Sequence, residues 1–145
     1  TRVEVNTISA EMAKVRDYVP DYAVMAHRGS TFWAPEETES AWRWAREMGA
    51  DYLESDLQCT KDGVILANHD DNLKRTTNIE NVYSELVPAT RKAFYMRHGM
   101  SEAEAEKLVA ADKASFRPYY AMSYMYEELL ALDGVFRTTP VYLGS

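Results

Sequence analysis

Gly49-Ala50-Asp51-Tyr52-Leu53-Glu54-Ser55-Asp56-Leu57 sets two acidic side chains into a run that otherwise reads as a strand from Tyr52 to Leu57. Side chains two apart on a strand share a face, roughly 6–7 Å apart along the chain. Glu54 and Asp56 can therefore both reach one cation lying between them. Hard divalent cations prefer oxygen donors, so Ca²⁺ or Mg²⁺ suits such a pair. Bare carboxylates would repel a phosphodiester. With a cation bound, the same pair becomes its anchor, and the cation can polarise the phosphoryl oxygens.

Downstream, Lys61-Asp62-Gly63 reads as a turn, because Asp-Gly tolerates the positive φ of tight hairpins. Val64-Ile65-Leu66-Ala67 is the next apolar strand and delivers the chain to His69-Asp70. A tight turn at 61–63 would bring His69 back toward Glu54. Upstream, Ala23-Val24-Met25-Ala26 reads as a short buried strand running into His27-Arg28-Gly29. His27 and His69 beside a bound phosphodiester form a candidate acid–base pair, each group of this kind contributing on the order of 10²–10⁴ in rate. Arg28 can give two parallel hydrogen bonds to phosphate oxygens, which a lysine cannot match. His69 is also a further candidate metal ligand.

A helix is expected between these strands. Pro35 suits its first turn, Glu36, Glu37 and Glu39 complement its positive end, and Gly49 closes it. Ala41, Trp44, Ala45 and Met48 fall on one face at helical spacing, as core residues do. Residues 1–20 read as an amphipathic lead-in helix. From residue 78 to 120 the strand pattern fades. Ser101 with Glu104 forms a capping box opening a helix through about Lys113. Tyr119, Tyr120, Tyr124 and Tyr126 crowd a short span, read as packing rather than as a cage for a quaternary ammonium. A helical stretch follows near residues 127–132. His98 is expected in a loop, and Arg75-Thr76-Thr77 fits a phosphate contact or a loop start equally well.

The chain has 145 residues, 46% hydrophobic and 27% charged, as a globular domain should. A formal charge of −7 argues against broad nucleic-acid or anionic-membrane binding. The single cysteine, Cys59, excludes an internal disulfide and a cysteine-rich zinc site. No apolar run is long enough to span a membrane. The chain starts at Thr1 rather than at methionine, so the compartment stays open between the cytoplasm and export after loss of an upstream leader.

The ordered set His27-Arg28-Gly29, Pro35-Glu36-Glu37-Thr38, residues 49–56, Thr60-Lys61-Asp62-Gly63, His69-Asp70, Leu73 and Arg75-Thr76-Thr77 resembles the glycerophosphodiester phosphodiesterase family. Glu127-Glu128-Leu129 and Leu132-Asp133 extend the likeness more weakly. The resemblance implies an α/β fold, a TIM (β/α)₈ barrel with active residues at the C-terminal ends of its strands. It implies His27 and His69 as the catalytic acid–base pair; spacing does not fix which is which, and His27 is taken here as base and His69 as acid. It further implies Glu54 and Asp56 as ligands of one divalent cation, Arg28 on the phosphate, and Glu36 nearby, orienting Arg28. The substrate would be a glycerophosphodiester, cleaved to glycerol 3-phosphate and an alcohol. Residues 78–120 fall where the family carries a small cap-like insertion. The chain departs from the family in having Glu37 where asparagine is usual, and in stopping before a further carboxylate ligand. A barrel typically needs about 250 residues, so 145 are expected to form roughly its first half, with open edges prone to self-association. Two alternatives follow: a non-catalytic phosphoester-binding or assembly module, and a phospholipase D-like activity on a larger lipid.

Overall fold

The computed structural model describes residues 22–132. The expected lead-in helix over 1–20 lies outside them. Strand β1 (Met25–Ala26) pairs in parallel with β2 (Tyr52–Leu53), Ala26 opposite Leu53. Helix α1 (Glu39–Glu47) connects them, as a parallel pair requires a crossover. Of the expected half barrel, the described residues carry this one β-α-β unit. The next two strands, β3 (Leu57–Cys59) and β4 (Ile65–Ala67), form a separate antiparallel sheet.

The single strand expected over 52–57 is therefore two. The break falls on Glu54, Ser55 and Asp56. The N–H of Asp56, a ladder donor in a continuous strand, instead donates to the Glu37 carboxylate at 2.9 Å. Helix α1 begins later than Pro35 suggests. Glu37 sits in the left-handed region at φ 58°, and Thr38 is extended, so neither can be helical. Thr38 caps the helix, its hydroxyl accepting from the Ala41 N–H at 3.2 Å. The C-terminus closes as expected: Gly49 has φ 86°, its N–H reaches Arg46 O, and the Ala50 N–H reaches Ala45 O. Ala41 and Ala45 are buried, but Trp44 and Met48 stay exposed. Strand β1 is not buried either, Val24 and Met25 being 58% and 62% exposed. A two-stranded sheet has too little neighbouring surface to cover both faces.

The β3–β4 turn is the expected one. Thr60 N–H donates to Val64 O and Gly63 N–H to Thr60 O, with Gly63 at φ 86°, the geometry of a three-residue hairpin loop. Beyond it lie α2 (Ile79–Val82), α3 (Arg91–Arg97), α4 (Glu102–Ser115), a 3₁₀ turn (Ala121–Ser123) and α5 (Tyr126–Leu129). The Ser101–Glu104 capping box opens α4, whose end runs two residues past Lys113. One core joins Leu66 and Leu73 to Ile79, Tyr119, Ala121, Tyr124, Leu129 and Leu132. Tyr124 packs between Tyr83 and Phe116, so packing accounts for the centre of the tyrosine cluster. His98 ends α3, stacked on Phe94.

A buried ion-pair network clamps this helical part to the hairpin. Arg91 is fully buried and forks onto Glu128 at 2.9 and 2.7 Å, with a third bond to Asp112 at 2.7 Å and a fourth to Ser123 O. Lys61, in the hairpin turn, reaches the other Asp112 oxygen at 2.9 Å. Burial raises the Asp112 pKa, but Lys61, Tyr95 and Arg91 together bring it below its ordinary value. A depressed acid contributes stability that is present above its unfolded pKa, near about 3.9, and lost as the pH falls through the folded value. Removing Arg91 strands the buried carboxylate of Glu128 and leaves Asp112 with Lys61 and Tyr95. Arg91→Met is expected to cost about 3–5 kcal/mol, read as a lower midpoint in urea unfolding at pH 7.

Candidate active site

The end of β1 and the end of β2 meet at one rim because a single carbonyl serves both. Ala26 O accepts from the Gly29 N–H and the Glu54 N–H, each at 3.1 Å. Between them, Arg28 adopts φ 58°, a left-handed conformation costing roughly 1–2 kcal/mol outside glycine. That turn aims the Arg28 N–H at Glu54 Oε2, 3.0 Å away. Gly29 must be glycine on two counts. Its φ is +83°, and an added Cβ would lie 2.7 Å from the backbone of Ala41. The loop thus presses directly on α1, with the Ser30 N–H bonded to Ala41 O at 2.9 Å.

His27, Glu54 and Asp56 come together. One ligand atom from each lies within 4.8 Å of the others. His27 Nε2 stands 4.0 Å from Glu54 Oε2 and is well exposed. Arg28 Nε lies 3.2 Å from Asp56 Oδ2. The contact is an ion pair without hydrogen-bond alignment, for both atoms are buried and neither has a hydrogen-bond partner. Arg28 Nη1 also reaches Glu36 Oε1, at 3.4 Å, so Glu36 contacts the arginine it was expected to orient.

His69 lies outside the three-residue donor group. Its Nδ1 sits 2.6 Å from Asp70 Oδ1, which leaves Nε2 as the other ring nitrogen. Arg75 grips Asp70, with Nε to Oδ2 at 2.6 Å and Nη2 to Oδ1 at 3.2 Å. Arg75 first, then His69, holds the Asp70 carboxyl down at about 2. The same Nη2 donates to Glu36 Oε1 at 2.6 Å, and Arg75 is the main reason Glu36 is depressed as well.

Two participants escaped sequence reading. Arg75 was equally a phosphate contact or a loop residue, and only folding shows it bridging two carboxylates. Glu37 read as a helix-start residue, yet it is 1% exposed. Its carboxylate accepts from the Ser55 hydroxyl at 2.6 Å and the Asp56 N–H at 2.9 Å. Burial pushes its pKa up, with Asp56 and Glu54 adding repulsion. Its one signal was the departure from asparagine at that position.

Residues 27–140 match the glycerophosphoryl diester phosphodiesterase family. The chain belongs to that family. It is 37% identical over 97 residues to a glycerophosphoinositol inositolphosphodiesterase of Mus musculus, covering 67% of this chain and 17% of the relative. It is 48% identical over 54 residues to a glycerophosphodiester phosphodiesterase of Bacillus subtilis, covering 37% of this chain and 18% of that one. A solved glycerophosphodiester phosphodiesterase from Agrobacterium tumefaciens is 45% identical over 39% of this chain and 24% of its own, with a TM-score of 0.38. The chain therefore spans about a fifth of the length of such relatives. No helix among the described residues is long and apolar enough to cross a membrane.

The family is a TIM barrel and generally depends on a divalent metal, and the donor set here fits one. An ion held about 2.3–2.6 Å from each ligand tolerates ligand atoms up to roughly 5 Å apart, as these are. Asp56 Oδ2 offers a buried acceptor with no hydrogen-bond partner. In calorimetric titration with Ca²⁺, Glu54→Gln and Asp56→Asn are each expected to weaken binding about tenfold or more, through loss of a charged ligand. His69→Ala should leave it unchanged, and a matching loss there would make His69 a ligand.

Proposed function

We propose that this site hydrolyses glycerophosphodiesters to glycerol 3-phosphate and an alcohol, with His27 and His69 as base and acid. The convergence of His27, Glu54 and Asp56 around one point, with Arg28 alongside, supports the reading most directly. Glu54 and Asp56 would hold a divalent cation, Ca²⁺ or Mg²⁺, with the His27 imidazole beside them. The cation, when bound, supplies Lewis-acid stabilisation of phosphoryl charge. The 4.8 Å spread suits the longer Ca²⁺ bonds without adjustment.

Arg28 pairs with the phosphate oxygens. Its guanidinium lies beside Asp56 at Nε, 3.2 Å away, with Glu36 a looser contact at Nη1, 3.4 Å away. His27, exposed at the rim, takes the proton of the nucleophile, a water or the neighbouring glycerol hydroxyl, the latter giving a cyclic phosphate that water opens to glycerol 3-phosphate in a second step. As the new P–O bond forms, the bond to the alcohol breaks. His69 gives its Nε2 proton to the departing alkoxide. Asp70 suits that role, because a carboxylate at Nδ1 stabilises the imidazolium that must exist before transfer. Where water attacks, the proton taken at His27 and the one given at His69 balance, and neither bond change needs an outside reagent.

The test is release of glycerol 3-phosphate from glycerophosphocholine by the purified chain, with and without EDTA. His27→Ala and His69→Ala are each expected to lower turnover by about 10²–10⁴ with unchanged circular dichroism, and EDTA should abolish it. Binding of glycerol 3-phosphate without chelator-sensitive hydrolysis would replace this reading with the non-catalytic phosphoester-binding module.

A further inference from the structure

The Arg75 side chain is 48% exposed, yet its position is fixed from both sides. Leu73 is fully buried, its N–H bonded to Tyr119 O at 2.8 Å. Thr76 donates to buried Asn68 at 3.1 Å. From this anchored turn the guanidinium reaches across 39 positions of sequence to Glu36. It ties the loop after β1, which carries Arg28, to the segment after β4, which carries His69. Exposed ion pairs contribute only about 0–1 kcal/mol to stability, so fold stability alone is a poor account of a fork shared between two carboxylates.

The distances define what the fork does. Glu36 Oε1 is shared by two arginines and lies closer to Arg75, 2.6 Å against 3.4 Å to Arg28. Without Arg75, the Glu36 carboxylate would have Arg28 as its remaining cationic partner. A tightened Glu36–Arg28 pair would compete directly with phosphate for the same guanidinium. At its other edge, Arg75 holds both oxygens of Asp70, one of which faces His69 Nδ1. A lysine could neutralise one carboxylate but not span both, since it lacks the planar fork.

We propose that Arg75 is a positioning residue that couples the two halves of the site: it draws Glu36 off Arg28, leaving that arginine free for phosphate, and pins Asp70 against His69. The proposal rests on the hydrolytic reading only for its His69 arm. The Arg28 arm concerns binding of a phosphate monoester or diester, whatever the chemistry.

The experiment uses the full chain with saturating Ca²⁺ and glycerol 3-phosphate as the probe, by calorimetry. Arg75→Ala is expected to weaken binding about tenfold, the size of effect that lost outer hydrogen-bond partners typically have. Adding Glu36→Gln to Arg75→Ala should restore it, because the competitor for Arg28 is gone. A residue that merely stabilised the fold would show no such rescue. In hydrolysis of glycerophosphocholine, Arg75→Ala should raise KM and lower kcat, and the second substitution should recover KM while the kcat deficit from a loosened Asp70–His69 pair persists. If Arg75→Ala melts early, Arg75→Gln, which keeps a donor without the charge, must show the same loss and rescue. Affinity unchanged on removing Arg75, or lost without rescue by Glu36→Gln, overturns the proposal. The binding pattern without any wild-type hydrolysis sinks the hydrolytic reading and leaves the Arg28 arm standing.

Discussion

The carbonyl of Ala26 holds the site together. It accepts one N–H from Gly29, which closes the turn around Arg28, and another from Glu54, which ends the pairing with β2. Glu54 returns the connection, its side chain accepting the Arg28 N–H. Two strand ends far apart in sequence are thereby locked with a metal-ligating type and a phosphate-binding type of side chain in contact. The lock demands left-handed backbone at Arg28 and Gly29. That strain is tolerated because the loop is also held by Glu37 N–H to Arg28 O and by Ser30 N–H to Ala41 O. Backbone held against its preference by several independent bonds is typical of residues that must present a side chain at one angle.

Charge then decides the rest. Glu36, Glu54, Asp56 and Asp70 are set around two arginines in a chain whose formal charge is −7. Arg28 answers Asp56 and part of Glu36, and Arg75 answers Asp70 and the remainder of Glu36. Glu54 receives only a backbone N–H and the nearby imidazole of His27. The uncompensated negative charge is thus concentrated at Glu54, beside Asp56. A divalent cation placed there would reverse the field an anionic substrate meets, whereas arginines alone, already shared among carboxylates, would leave it hostile.

What could be read in advance follows from the range of each interaction. The hairpin at Lys61-Asp62-Gly63, the Ser101 cap and the Gly49 stop are local, written in two to five residues, and they lie where their residues predict. The approach of Glu54 and Asp56 to one another was also legible, since residues two apart on extended chain share a side. The strand itself is interrupted there, β2 ending at Leu53 and β3 starting at Leu57. Long-range polar partners were not legible. Nothing near Arg75 specifies Glu36, and nothing near Arg91 specifies both Asp112 and Glu128, since a buried guanidinium looks like a surface one until the fold encloses it. The expected burial also failed at β1 and Trp44, where apolar residues stand open because few elements surround the β-α-β unit.

Glu37 shows how one side chain converts a strand into a site. A continuous strand from Tyr52 would spend the Asp56 N–H on a ladder bond and alternate its side chains evenly. Glu37 reaches into the gap and takes that N–H together with the Ser55 hydroxyl, so the N–H is not spent on a ladder bond. The carboxylate must be buried to do so, and burial raises its pKa. The two hydrogen bonds offset that cost only in part, since the pKa stays raised. A shorter asparagine side chain in the same conformation could offer one oxygen, but not a two-oxygen cradle for both donors. The backbone between Glu54 and Asp56, two of the three residues that converge with His27, is therefore held from behind by a buried acid.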